Sequence, residues 1–297
     1  MQFPVAGIEL DPWIPPAVAF FISVFTSLGG VSGAFLLLPF QVSVLGFHSP
    51  AVSATNHLYN IVATPSGVWR YASEGRVVWP MALAIIVGTL PGVFLGAVLR
   101  VEFLHDQQRF KVFVGLVLFY IGARLLSEVV SAWRHRSAGA RTPGRKPQSR
   151  IVATEANRTH IAYEYGNERF KIGVPALLAL SFVVGGVGGV YGIGGGALIA
   201  PLLVSFFGLP VYTVAGAALL ATFTTSVAAV ISYYFLAQLY SATAVMPDWR
   251  LGLLFGLGGL AGMYVGATMQ RFVPATAIKL LLAIAVLFPA VVYLLGH

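Results

Sequence analysis

Side chains able to hold a small ligand gather in one apolar stretch of the chain: Ser53, Thr55, Asn56, His57, Asn60, Thr64 and Ser66. Thr222, Thr224, Thr225 and Ser226 form a second such stretch, and at an offset of 162 residues Asn60 falls on Thr222 and Thr64 on Ser226. Ser and Thr can satisfy themselves on their own helix backbone, so hydroxyls alone say little. Asn and His are costly in hydrocarbon and need partners, which makes Asn56, His57 and Asn60 the stronger candidates. His57 alone could titrate near neutral pH inside an apolar block, and its plainer role is a neutral ring bonded to a neighbouring helix. Such groups suit neutral hydrogen bonding of a small oxyanion. No carboxylate pair, His cluster or nucleophile–base spacing is present, and there is no cysteine, so neither an enzyme nor a metal or other cofactor is expected.

Glycine forms the second motif. Eight of the twelve residues from Gly185 to Gly196 are glycine, and Gly29-Gly30-Val31-Ser32-Gly33 echoes them in the first half. The loose match of Gly192 to Ala197 to a nucleotide fingerprint fails on context, because no strand precedes it and the next acid is Asp248. Glycines can let helices approach closely, the reading that suits Gly88, Gly92 and Gly96. They can also unwind a helix in mid-membrane, so that backbone amides face an anion. The candidate substrate site therefore comprises Ser32, Gly33, Asn56, His57, Asn60, Gly194, Gly195, Gly196, Thr222, Thr225 and Ser226.

These residues must be positioned by membrane helices. Of 297 residues 58% are hydrophobic and 9% charged, and the mean hydropathy is +0.84. So few charges cannot cover a soluble globule, which excludes a soluble enzyme, a nucleic-acid module and a disordered chain. Residues 12–69 and 172–247 carry no Asp, Glu, Lys or Arg, whereas nine of the eighteen bases lie between Arg134 and Lys171. That distribution marks a cytoplasmic linker and not a nucleic-acid surface. The first sixteen residues carry Glu9 and Asp11 and no base, so no cleaved secretory signal is expected.

Apolar blocks occupy about 17–46, 50–70, 78–99 and 108–131, then about 174–208, 211–236, 249–270 and 275–296. Six blocks fit one crossing each, since a crossing takes about 20 apolar residues. The first block of each half is too long and carries glycine at its middle, so each is predicted to be a broken helix or a re-entrant helical hairpin. Gly33, Leu36, Pro39 and Gly46 fall on Gly195, Leu198, Pro201 and Gly208 at offset 162. Trp79, Gly88, Gly92 and Gly96 fall on Trp249, Gly258, Gly262 and Gly266 at offset 170, with an insertion expected around Gln238–Pro247. The expected architecture is all-α and polytopic. Residues 1–131 form one transmembrane repeat, 132–173 a basic cytoplasmic linker and 174–297 a second repeat.

Each repeat is a broken or re-entrant hairpin plus three transmembrane helices. Charge placement favours inverted repeats: Arg70, Arg76, Arg271 and Lys279 then lie inside, with Glu9, Asp11 and Asp248 outside. The loop at 100–111, with Arg100, Arg109 and Lys111 outside, runs against that rule. Arg134 to Arg150 reads as flexible. Ile161–Tyr165 and Arg169–Ile172 flank Gly166-Asn167 as a small β-hairpin. Arg124 and Glu128 are spaced to pair, and Arg70 reads as a boundary charge.

Gly30-Val31-Ser32-Gly33 through Pro39, and Gly192 through Pro201, resemble the duplicated glycine-rich signature of the TauE/SafE sulfite exporter family. Gly88-Thr89-Leu90-Pro91-Gly92 with Gly96, and Gly258 to Gly262 with Gly266, are similar to that family's third-helix pattern. The first copy departs from it, with Ser32 and Ala34 where the second has Gly194 and Gly196. The resemblance implies secondary transport of small sulfur-containing anions (sulfite, sulfoacetate or other organosulfonates) across the cytoplasmic membrane by alternating access. The partners expected are that anion and membrane lipid, with no nucleic acid. A passive anion channel, a transporter of another small anion, and a membrane scaffold or sensor are the alternatives.

Overall fold

Proline and glycine divide the apolar blocks into helices. The computed structural model describes residues 1–28, 31–137, 151–166, 168–240, 243–269 and 275–296. Gly29, Gly30, Arg141, Arg145, Lys146, Arg150, Asn167 and Arg271, used above, lie outside the described residues. Strands β1 (Gln2–Phe3) and β2 (Ile8–Glu9) pair antiparallel at the N-terminus. The first half then contains α1 (Ile14–Leu28), α2 (Ala34–Pro39) running into a π-helical turn at Phe40–Val44, α3 (Ala51–Ala63), α4 (Pro65–Ser73), α5 (Trp79–Glu102) and α6 (Gln107–Ser137). Strands β3 (Val152–Ala156), β4 (His160–Tyr165) and β5 (Glu168–Gly173) follow. The second half holds α7 (Val174–Tyr191), α8 (Gly195–Phe207), α9 (Val211–Leu239), α10 (Trp249–Met269) and α11 (Ala275–Leu294). Proline opens α4 and sits in the first turn of α5 and α7; the missing amide costs nothing there.

Four helices among the described residues are long and apolar enough to cross a membrane: Trp79–Glu102, Gln107–Ser131, Val174–Tyr191 and Thr213–Leu239. Three expectations need correction. The block at 50–70 is two helices, because Pro65 has no amide to continue α3. Helix α6 runs to Ser137, so Arg134 and Arg136 are helical, as no Gly or Pro interrupts the chain there. The linker hairpin exists as β4 and β5, joined across Tyr165 and Glu168, but β3 adds a third strand that the alternation did not show. This sheet docks on the start of α9, where Tyr163 and Thr213 hydroxyls lie 2.7 Å apart. His160 and the Arg169 guanidinium hold the Glu155 carboxyl below its ordinary range.

Packing follows the glycines. An added Cβ at Gly88 would lie 2.9 Å from the Leu178 carbonyl oxygen, and those at Gly92 and Gly96 would strike the carbonyls of Phe182 and Gly186. On α10, Cβ atoms at Gly258, Gly262 and Gly266 would strike the carbonyls of Pro16, Phe20 and Val24 on α1. The glycines are related by the offset of 170, and the carbonyls they meet by the offset of 162. Each half's glycine ridge therefore seats on the first helix of the other half, at equivalent positions. Helices α6 and α11 also pack together across the halves, as do α3 and α9, while α8 packs on α9 within the second half.

Candidate functional site

Where the two glycine motifs meet α3 and α9, the chain leaves helical geometry. Helix α7 ends at Gly192 with φ +90°, and Gly194 at the start of α8 has φ +70°; both are left-handed values that side chains with a Cβ rarely adopt. In the first half α1 ends at Leu28 and α2 begins at Ala34, and Val31, Ser32 and Gly33 lie outside both helices. Both long blocks are thus two helices separated by a short break, and α7 packs against α8.

The breaks are pinned by side chains of α3. The Ser32 hydroxyl donates to Asn60 Oδ1 at 2.6 Å, and Asn60 Nδ2 donates to the Gly192 carbonyl at 3.4 Å. Asn60 therefore spans both breaks. Asn56 Nδ2 donates to the Ala34 carbonyl at 2.8 Å and Asn56 Oδ1 accepts from Gln41 Nε2 at 3.2 Å. Gly33 lies against the Tyr59 hydroxyl, and Gly192 against the backbone of Ser53 and the Cβ of Asn56. From the other side, the Gly195 amide donates to Thr225 Oγ1 at 3.1 Å, while Gly194 and Gly196 lie against Thr222. His57 Nδ1 and Ser226 Oγ, 3.2 Å apart, join α3 to α9. All eleven residues singled out from the sequence thus fall in one buried polar cluster.

The donors in this cluster are unequal. Thr222 and Thr225 give their protons to the carbonyls of Ala218 and Ala221, one turn back on α9. They present lone pairs to the cluster, which repel an anion. Asn56 and Asn60 each have two amide protons, of which one is engaged. Within the cluster Gln41 Oε1, an acceptor, is buried without a partner among the described residues.

Sequence reasoning missed Gln41, Tyr59, Tyr191 and Tyr233. Gln41 is the one amide side chain in the run from Ala34 to Gly46, and that polar intrusion was a usable signal. The tyrosines carried none, since aromatic residues are ordinary in apolar blocks. Tyr191 donates to the Phe35 carbonyl at 2.7 Å, tying the breaks together, and Tyr233 donates to the Gly189 carbonyl at 2.9 Å. Arg100, placed by the sequence in the loop at 100–111, lies in helix α5 and is fully buried. Its position in the last turn of α5, beside α3, takes the charge inward. Arg124 and Glu128 pair at 3.7 Å as expected, and Arg70 pairs with Glu74 at 3.1 Å. Asp248 caps α10 through the Leu251 amide.

The family profile described as Sulfite exporter TauE/SafE matches residues 16–295. Over 244 residues the chain is 26% identical to a "Probable membrane transporter protein" of Xylella fastidiosa (strain 9a5c), a match covering 82% of this chain and 78% of that protein. It is 25% identical over 268 residues to the "Probable membrane transporter protein YunE" of Bacillus subtilis (strain 168), covering 88% of this chain and 89% of the relative. No solved structure matches the chain.

Proposed function

Since the chain belongs to the TauE/SafE sulfite exporter family of membrane transporters, we propose that it is a secondary transporter of small sulfur-containing oxyanions, sulfite or organosulfonates, across the cytoplasmic membrane. The observation that carries the reading is the buried cluster at the two helix breaks, in which Asn56 and Asn60 each keep an amide proton that no acceptor among the described residues takes up. A buried polar atom left unpaired costs about 1–3 kcal/mol, and a ligand that supplies its partner recovers that cost. The remaining protons of Asn56 and Asn60, the His57 ring and the amides at the breaks are the donors. Thr222, Thr225 and Ser226 form the wall that holds them. No carboxylate side chain belongs to this cluster, which suits an anion.

Alternating access rests on two inverted repeats, with the basic linker on the cytoplasmic side. The exchange of glycine contacts between halves supports it, because equivalent seams can slide in the same way on either side. The test is sulfite flux into proteoliposomes. Asn56→Leu is expected to abolish saturable flux while the protein remains folded by size-exclusion chromatography. Unchanged flux would overturn the site. A thermal-shift series against sulfite, thiosulfate, sulfate, sulfonates and acetate tests the substrate class, and a response to acetate alone would overturn it. Flux that fails to saturate and shows no counter-transport would favour a channel.

A further inference from the structure

Arg100 is a fully buried cation outside the polar cluster. Its Nε donates to Ser53 Oγ at 3.3 Å, Nη2 to the His48 carbonyl at 3.4 Å, and Nη1 to the Leu104 carbonyl. The guanidinium carbon stands 3.6 Å from the centroid of the Phe110 ring. Among the described residues no ion pair involves Arg100. The nearest acid in sequence, Glu102, instead accepts from the Tyr240 hydroxyl. A buried guanidinium served by neutral acceptors alone is an incompletely compensated charge.

Four further features mark this end of the molecule. Two of the five guanidinium protons remain after the three bonds above. His48 Nδ1 and Ser49 Oγ, on the segment whose carbonyl Arg100 holds, are buried without partners. Burial and the nearby Lys111 ammonium push the His48 imidazole below its ordinary pKa, so at neutral pH the local charge is that of Arg100 and Lys111. Ser53 is also one turn of α3 before Asn56 and His57, and it donates to the Val190 carbonyl at 2.8 Å, two residues before the break at Gly192. The cation is therefore one hydroxyl away from the neutral cluster.

We propose that Arg100, with Ser53 and the His48–Ser49 segment, forms a second anion-binding station at the α5–α6 end of the path, where the transported anion is held next to the central cluster. The proposal rests on the anion-transport reading. It divides labour between a charged station that concentrates the anion and a neutral cluster that lets it pass. A structural role for Arg100 would instead be limited to tying Leu104 and His48 to α5.

Saturable sulfite uptake in proteoliposomes distinguishes the two. Arg100→Gln is expected to raise the half-saturating sulfite concentration at least about tenfold while the maximal rate stays within about threefold, and Arg100→Lys to restore half-saturation to within about threefold of the parent. Ser53→Asp sets a carboxylate against the guanidinium, consuming the charge without removing the side chain, and is expected to match Arg100→Gln. It also serves if Arg100→Gln does not fold. Half-saturation unchanged in a folded Arg100→Gln or Ser53→Asp protein would overturn the proposal alone. So would a lowered maximal rate at constant half-saturation that Lys does not rescue. Absence of saturable uptake by the parent protein would overturn the transport reading and this proposal with it.

Discussion

Asn60 ties the two breaks directly, because one end of its amide bonds Ser32 and the other bonds Gly192. Asn60→Leu would leave the buried Ser32 hydroxyl proton and the Gly192 carbonyl without the partner Asn60 supplies, at about 1–3 kcal/mol each. The expected outcome is a thermal midpoint several degrees lower together with lost sulfite flux. Thr222 makes the opposite case. Its proton belongs to Ala218, so Thr222→Val, close in shape, is expected to keep the half-saturating concentration within about threefold. A loss of tenfold or more in the same uptake assay would show that the hydroxyl turns to the anion. The sequence already ranks Asn60 above the hydroxyls; that Thr222 is wall and not donor is decided by the direction of its hydrogen bond.

Helix α5 shows what glycine spacing does at the scale of an element. Gly88, Gly92 and Gly96 repeat every four residues and so form one ridge, and α7 meets that ridge with backbone at each step. Gly92→Val would drive a branched side chain into the Phe182 carbonyl and the Gly186 amide. Overpacking of that kind costs about 1–3 kcal/mol. Because Gly262 on α10 meets Phe20 in the same way, Gly262→Val is expected to lower the thermal midpoint by a similar amount. A large difference between the two would mean that the seams are not equivalent. The ridge could be read from sequence as close packing, but its partner could not. Nothing in the spacing says that α5 seats on α7, a helix from the other half. Likewise the block at 50–70 reads from sequence as one crossing, and Pro65 divides it for a reason of hydrogen bonding that hydropathy does not record.

For the whole molecule, the arrangement of the halves in the membrane decides whether a shared site can face each side in turn. The absence of cysteine makes this directly testable with single introduced thiols. Glu155→Cys in the linker sheet and Asp106→Cys between α5 and α6 are expected to react with an impermeant maleimide from opposite sides of oriented vesicles. Labelling of both from one side would overturn the inverted arrangement. The basic residues near Arg100 counted against that arrangement as loop charges. With the Arg100 side chain buried and Lys111 near the Tyr293 ring, 5.8 Å from its centroid, the loop exposes less charge than its composition implies.

Composition and periodic glycine by themselves determined that this is a helical membrane protein with two related halves, since hydrocarbon tolerates few charges and close helix contact requires small residues. They also located the polar residues that belong together, because Asn and His inside an apolar block must find partners. Tertiary structure decided which partners. It joined residues as far apart as His57 and Ser226, 169 positions along the chain, into one cluster at the two breaks and turned the threonine protons away from it. It also buried Arg100. A cation counted from sequence carries a sign but no depth, and its depth here comes from three carbonyl and hydroxyl acceptors and one aromatic ring that only the packed helices bring within reach.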